Sequence, residues 1–126
     1  MIFFDVLSLK DIPKESPYFN GVIIQRLLQK GKIPKIGVSV ITLSEGQTLN
    51  PHYHEKTKTI VFVLEGEGIV TLNNEEHQIK KDDVITYSEK VIHSFKAAKG
   101  TLRLLSIETP PVYSPEKKER DTVFVQ

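Results

Sequence analysis

Gly46-Gln47-Thr48-Leu49-Asn50-Pro51-His52-Tyr53-His54 is the stretch on which the reading of this chain turns. On an extended backbone, residues i and i+2 point to the same face, about 6.6 Å apart along the strand. His52 and His54 therefore share a face and Tyr53 takes the other. Two imidazoles so placed can converge on one cation, with bonds of about 2.0–2.1 Å if zinc is the guide. The same spacing also occurs among surface histidines and hydrogen-bonded core histidines, so the surroundings decide what the pair means.

Outward from this stretch, short runs rich in Val, Ile, Phe and Thr recur at roughly 8–12-residue spacing, which is the pattern of an all-β sandwich or barrel. They predict strands at Ile2–Val6, Val22–Leu28, Ile36–Leu43, Thr59–Leu64, Gly68–Leu72, His77–Ile79, Val84–Tyr87, Ile92–Lys96 and Leu102–Glu108. Turn formers separate them at Lys30-Gly31-Lys32, Glu45-Gly46-Gln47, Glu65-Gly66, Asn73-Asn74 and Lys99-Gly100. Asn73-Asn74 suits a two-residue hairpin, since Asn tolerates the positive φ of a type I′ turn. Tyr18–Gln29 fits a helical face about as well as a strand, and its β-branched Val22-Ile23-Ile24 run favours the strand.

Composition narrows the classes. The 126 residues, 39% hydrophobic and 26% charged, suffice for one domain spanning 1–126, which would bury roughly two-thirds of its unfolded surface. With 17 basic and 16 acidic side chains the net charge is +1, no footprint for nucleic acid. The absence of cysteine excludes a disulfide framework, a thiolate metal site and a cysteine nucleophile. No run of about 18 apolar residues suggests a membrane span, and MIFFDVLSLKDIPKE does not read as a signal peptide. A cytoplasmic protein is the expectation. Late in the chain, Thr109–Pro115 is stiff and cannot continue a central strand, and Glu116–Asp121 reads as a solvated charge run. The apolar Thr122-Val123-Phe124-Val125 would be an aggregation hazard if left free. The tail 109–126 is therefore expected to dock on a sheet edge, its own or a partner's.

The spacing Gly46-x5-His52-x-His54, followed by Gly66 and then by His93 in Val91-Ile92-His93-Ser94-Phe95, resembles the cupin family. The resemblance covers about residues 36–107. The first cupin motif reads G-x5-H-x-H-x3,4-E-x6-G and the second G-x5-P-x-G-x2-H-x3-N. The resemblance implies an antiparallel β-barrel of jelly-roll type, with His52, His54 and His93 facing inward around one divalent metal ion. The departures are specific. Thr59 stands where the family has its glutamate, and Lys58, the other permitted position, is no carboxylate either. In the second motif Asp82, Ser88, Lys90 and Ala97 replace the first glycine, the proline, the second glycine and the asparagine. Lys accepts a left-handed conformation less readily than Gly, so the loop before His93 is expected to be reshaped.

Three neutral imidazoles leave a divalent cation its full charge, which weakens metal binding and favours an anionic exogenous ligand. Three protein ligands also leave open positions, as catalytic sites do. Imidazole ligation does not choose among Fe, Zn, Mn, Ni and Cu. Some iron-dependent dioxygenases of the cupin superfamily resemble this arrangement, which implies a dioxygenase-like enzyme acting on a small anionic or enolisable molecule. The alternatives are a non-catalytic metal- or ligand-binding module and a metal-dependent sugar or keto-acid isomerase. The isomerase would need a general acid or base, and no pair of inward carboxylates is evident in the sequence. Thr59 is a candidate donor to a bound oxygen or water, or else an inward-facing barrel residue. His77, Glu65 and Glu67 read as surface groups, Lys56 and Lys58 as loop lysines with a possible steering role, and Tyr87 and Phe95 as barrel packing. By resemblance, and from the apolar segments at both termini, a homodimer is expected.

Overall fold

The computed structural model describes residues 2, 4–18, 20–28, 33–114 and 119–125. Among these, one 3-10 turn (Leu9–Asp11) precedes the strands β1 (Ile23–Arg26), β2 (Gly37–Leu43), β3 (Thr48–Tyr53), β4 (Lys58–Leu72), β5 (Glu75–Lys80), β6 (Val84–Tyr87), β7 (His93–Thr109), β8 (Tyr113–Ser114), β9 (Glu119–Arg120) and β10 (Val123–Phe124). Ile23 and Ile24 of the Val22-Ile23-Ile24 run are thus strand, and none of the run is helix. No helix is long and apolar enough to cross a membrane.

Two long strands organise everything. The second half of β7 pairs with β2 and with the first half of β4, while its first half pairs with β3 and with the second half of β4. With the remaining pairings, one layer runs β1-β2-β7-β4-β6 and the other β10-β3-β7-β4-β5, all antiparallel. The inner faces share one apolar core, from Val22, Ile24, Ile41, Leu43, Val61, Val63, Leu102 and Leu104 in the first layer to Leu49, Val70, Ile79, Phe95 and Ala97 in the second. This is the all-β antiparallel barrel of jelly-roll type that the sequence implied.

The bends between layers explain where the strand prediction differs. Thr59–Leu64 and Gly68–Leu72 are one strand, as are Ile92–Lys96 and Leu102–Glu108. Gly66 (φ +88°) and Gly100 (φ +68°) sit inside these strands, and the β4–β7 register shifts repeatedly between Val63 and Gly68. A Cβ on Gly66 would overlap the Thr101 carbonyl oxygen. These glycines are therefore bulges that turn a continuous strand from one layer into the next, not loops between strands. Turn and bulge draw on the same residue because both need positive φ.

Asn73 (φ 46°) and Asn74 (φ 72°) form the expected hairpin between β4 and β5. The loop before His93 departs from expectation. Asp82 (φ 76°) and Lys90 (φ 69°) both adopt the left-handed conformation, so the turns survive without their glycines. Ile2–Val6 is not a strand in its described residues, and Ile2, Phe4 and Val6 are left exposed. β-propensity without an edge to pair on does not fix a strand. At the other terminus, β10 pairs with β3, Val123 opposite Tyr53 and Phe124 opposite His52, and the Val125 N–H donates to the Pro51 carbonyl at 3.0 Å. The edge it covers is the chain's own. The turn at 30–32 and residues 116–118 of the charge run lie outside the described residues.

Candidate metal centre and its cavity

A one-residue bulge aims the first two histidines. Leu49 pairs with Phe95 and His52 with His93, so three steps along β3 match two along β7. Leu49 and His52 would otherwise lie on opposite faces, because side chains alternate. The extra residue falls at Asn50-Pro51, both exposed, where Pro has no N–H to leave unpaired. Past it, His52 and His54 point inward beside Leu49. His93 opens β7 directly opposite His52, with ring centroids 4.2 Å apart.

The three imidazoles are buried, with relative exposures of 2%, 6% and 2% for His52, His54 and His93. Their candidate donor nitrogens lie within 4.8 Å of one another, and they are the one such His/Cys/Asp/Glu group among the described residues. Each ring is oriented through Nδ1. His52 Nδ1 donates to the Asn50 carbonyl at 2.6 Å and His93 Nδ1 to the Val91 carbonyl at 2.9 Å. His54 Nδ1 donates to the Asp121 carbonyl. A carbonyl can only accept, so these bonds place the proton on Nδ1 and leave the Nε2 lone pairs free. Partners of this kind orient metal-binding imidazoles. Burial holds His52 down to about 4 and His93 down to about 3, in each case despite a carbonyl partner that favours the charged ring. Neutral donors at neutral pH are what a divalent cation requires, and the residues fit one.

The histidines line a cavity whose wall also includes Tyr18, Arg26, Ser106, Tyr87, Glu108 and Arg120. Glu108 was not evident in the sequence as an inward carboxylate, yet its parity was readable: Leu102, Leu104, Ser106 and Glu108 alternate along β7, and the first three are buried. Its Oε2 accepts from the Val112 N–H at 3.0 Å and its Oε1 from the Ser106 hydroxyl at 3.1 Å. Burial nonetheless raises its pKa above the ordinary value, more than these donors and the nearby His54 and Arg120 lower it. In the ladder, Thr59 lies between Tyr87 and Glu108. Thr59 is 4% exposed, beside the Tyr87 side chain. The position that lacks the expected carboxylate is thus flanked by one on the adjacent strand.

Tyr87 does more than pack. Its ring stacks on His93 at 4.2 Å and 29°, and burial, then Glu108, raises its pKa, so it stays a phenol. Phe95 is a core residue, 1% exposed. The charge run is only partly a solvated face. Glu119 is exposed, but Arg120 lines the cavity and Asp121 is partly buried. The Arg120 guanidinium lies 4.5 Å from the Tyr113 ring centre, and Arg26 lies 4.3 Å from the same ring. Arg26 also pairs with Glu15 at 2.7 Å, whereas Arg120 approaches that carboxylate only to 4.0 Å. Charge runs mark exposure in general, but β9, paired with β8, puts Arg120 on the cavity wall and the next residue, Asp121, against the turn after His54. His77, Glu65 and Glu67 are exposed, and Lys58 pairs with Glu89 at 2.9 Å on the surface.

The fold and this centre define a small β-barrel with three histidines positioned to bind a metal ion. The family model for the cupin domain matches residues 39–108, and the chain belongs to that family. An uncharacterized protein of Methanocaldococcus jannaschii is 32% identical over 113 residues, covering 84% of this chain and 88% of the relative. Among solved structures, KdgF from Halomonas sp. superposes with a TM-score of 0.77 at 15% identity, covering 91% of this chain and 99% of that one. A cupin-superfamily sugar phosphate isomerase from Silicibacter pomeroyi gives 0.74 at 22% identity, covering 86% and 77%. At these identities the structures speak for the fold.

Proposed function

We propose that this protein is a metal-dependent enzyme that moves a proton on a small anionic, enolisable molecule, with His52, His54 and His93 as the ligands of one divalent ion. The observation that carries this reading is Glu108: a partly buried carboxyl with a raised pKa in the same cavity as three free Nε2 lone pairs. A carboxyl whose anion is disfavoured by burial is a stronger base than an exposed one, which suits it to exchange protons with a bound substrate. When bound, the metal would act as a Lewis acid on a substrate oxygen and acidify the neighbouring C–H. Glu108 would take that proton and return it to the adjacent carbon. Arg120, the cavity cation with only a long contact to a carboxylate, would hold the substrate's anionic group. Tyr87, a phenol against His93, would donate to a substrate oxygen. This is the chemistry of a keto-acid or sugar-acid isomerase.

The dioxygenase-like reading retains one specific support, a ligand set of three histidines with no carboxylate in it. One experiment separates the two. Protein purified without chelator is analysed for metal, then incubated in deuterated buffer with keto acids, sugar acids and β-diketones while exchange is followed by NMR and oxygen by electrode. Deuterium incorporation without oxygen uptake supports the proposal. Oxygen uptake would move the assignment to the dioxygenase-like reaction. Bound metal with neither would leave a binding module. A homodimer belongs to the same proposal. Exposed Ile2, Phe4 and Val6, with Ile60, Val84 and Ile107 on the outer face, offer apolar surface to a second copy. A monomer in light scattering would remove that part.

A further inference from the structure

The three histidines are not held alike. His52 and His93 each find their Nδ1 acceptor two residues back in their own segment, at Asn50 and Val91. His54 finds its acceptor 67 residues away, at the Asp121 carbonyl. That carbonyl belongs to the residue that pins the C-terminal segment to the barrel. The Asp121 carboxylate accepts the N–H groups of Glu55 (2.7 Å), Lys56 (2.9 Å) and Thr57 (3.2 Å), the three residues that follow His54. The Thr57 hydroxyl, fully buried, lies 3.2 Å from the same carboxylate and 2.9 Å from the Pro110 carbonyl. The Asp121 N–H donates to the Val112 carbonyl at 2.7 Å. On the backbone side, the His54 carbonyl accepts the Lys90 N–H at 2.7 Å.

We propose that Asp121 is a positioning residue of the metal centre: its side chain fixes the turn after His54 while its carbonyl fixes the His54 ring, so docking of the C-terminal segment completes the site. Aspartate suits the position because a short carboxylate presents enough lone pairs for successive N–H groups. Burial works against its charge, but the donors from Lys56, Glu55 and Thr57 outweigh it and hold its pKa below the ordinary value. The same short stretch brings Arg120 to the cavity wall and Phe124 against His52, with ring centres 5.2 Å apart. Metal binding and the wall of the substrate cavity therefore depend on one docking event.

This inference rests on His54 being a ligand, and the experiment separates its failure from a failure of that assignment. Zinc and cobalt affinities are measured by chelator competition for the wild type, Asp121→Ala and Asp121→Asn. In parallel, the metal-free proteins are read by 15N NMR for the His54 tautomer. Loss of a partner that orients a ligand typically weakens metal binding about 10–100-fold. That is the expected loss in Asp121→Ala, with a changed cobalt d–d spectrum and a mixed His54 tautomer while His52 and His93 keep theirs. Asp121→Asn, which retains an acceptor oxygen, recovers part of the affinity. A folded Asp121→Ala protein that binds zinc within about twofold of wild type and keeps a pure Nδ1–H His54 would overturn the proposal. Should that variant not fold, the wild type decides alone. His54 found as the Nε2–H tautomer overturns the proposal, and the Nδ1–H tautomer supports it. A wild type that binds neither metal overturns both this inference and the ligand assignment.

Discussion

Acidification of the metal-free protein tests the buried histidines directly. In the fold His52 titrates at about 4 and His93 at about 3, whereas an unfolded histidine titrates near 6.5. The unfolded chain thus takes up protons at both positions as pH falls through about 6.5, while the folded chain waits until about 4 or below. Stability is fully present above about 6.5 and is lost as pH falls towards the folded values. At pH 5 the fold still holds both rings neutral, so their mutual repulsion hardly enters. Each then costs about 2 kcal/mol relative to pH 7.5, for a total of about 4 kcal/mol. Against a typical domain stability of about 5–15 kcal/mol this is a large fraction. Glu108 acts in the opposite sense. Burial raises its pKa, so the fold takes its proton before the unfolded chain does and gains stability as pH falls through that interval. The assay is urea unfolding of chelator-treated protein at pH 7.5 and 5, followed by far-UV circular dichroism and tyrosine emission, since the chain has no Trp. The expected result is a clearly lower midpoint at pH 5. Equal unfolding free energies at the two pH values would refute the burial argument.

Three further outcomes follow from the same geometry. Glu108→Gln should lower turnover about 10²–10⁴-fold with metal content unchanged, and should melt at a higher temperature near neutral pH because an unfavourably buried charge is removed. Kinetics, metal analysis and calorimetry check these together. Lys90→Gly should stabilise by about 0.5–1 kcal/mol, since Lys90 holds φ 69° and a left-handed non-glycine residue costs about 1–2 kcal/mol, partly offset by the freer unfolded chain. Thermal unfolding reads it out. Gly66→Ala should cost more than about 2 kcal/mol or prevent folding, because its Cβ would overlap backbone and not a flexible side chain. Soluble yield and the unfolding midpoint are the measures.

Local chemistry accounts for what was readable early. The His-x-His spacing, the Asn73-Asn74 hairpin and the alternation of apolar residues each depend on a few neighbouring residues, and each survives in the structure. Glu108 shows the limit of that reading. Its inward parity follows from Leu102, Leu104 and Ser106, but only once the strand's buried face is known, and its chemistry follows only from the cavity it enters. Arg120 and Asp121 were unreadable for another reason. Nothing in a charged run distinguishes residues that face water from those that pairing with β8, or the turn after His54, holds against the barrel.

The chain order of its residues was enough to establish that this protein is a β-barrel of the cupin kind with histidines at 52, 54 and 93, because alternation and motif spacing are properties of neighbours along the backbone. Tertiary structure alone decided that Gly66 and Gly100 bend strands and do not end them, that an Asn50-Pro51 bulge turns two histidines inward, and that the His54 ring bonds the Asp121 carbonyl. Each of these is a relation between segments far apart in sequence. Such contacts are set by packing and by the need to satisfy every buried donor and acceptor, and no local pattern records them.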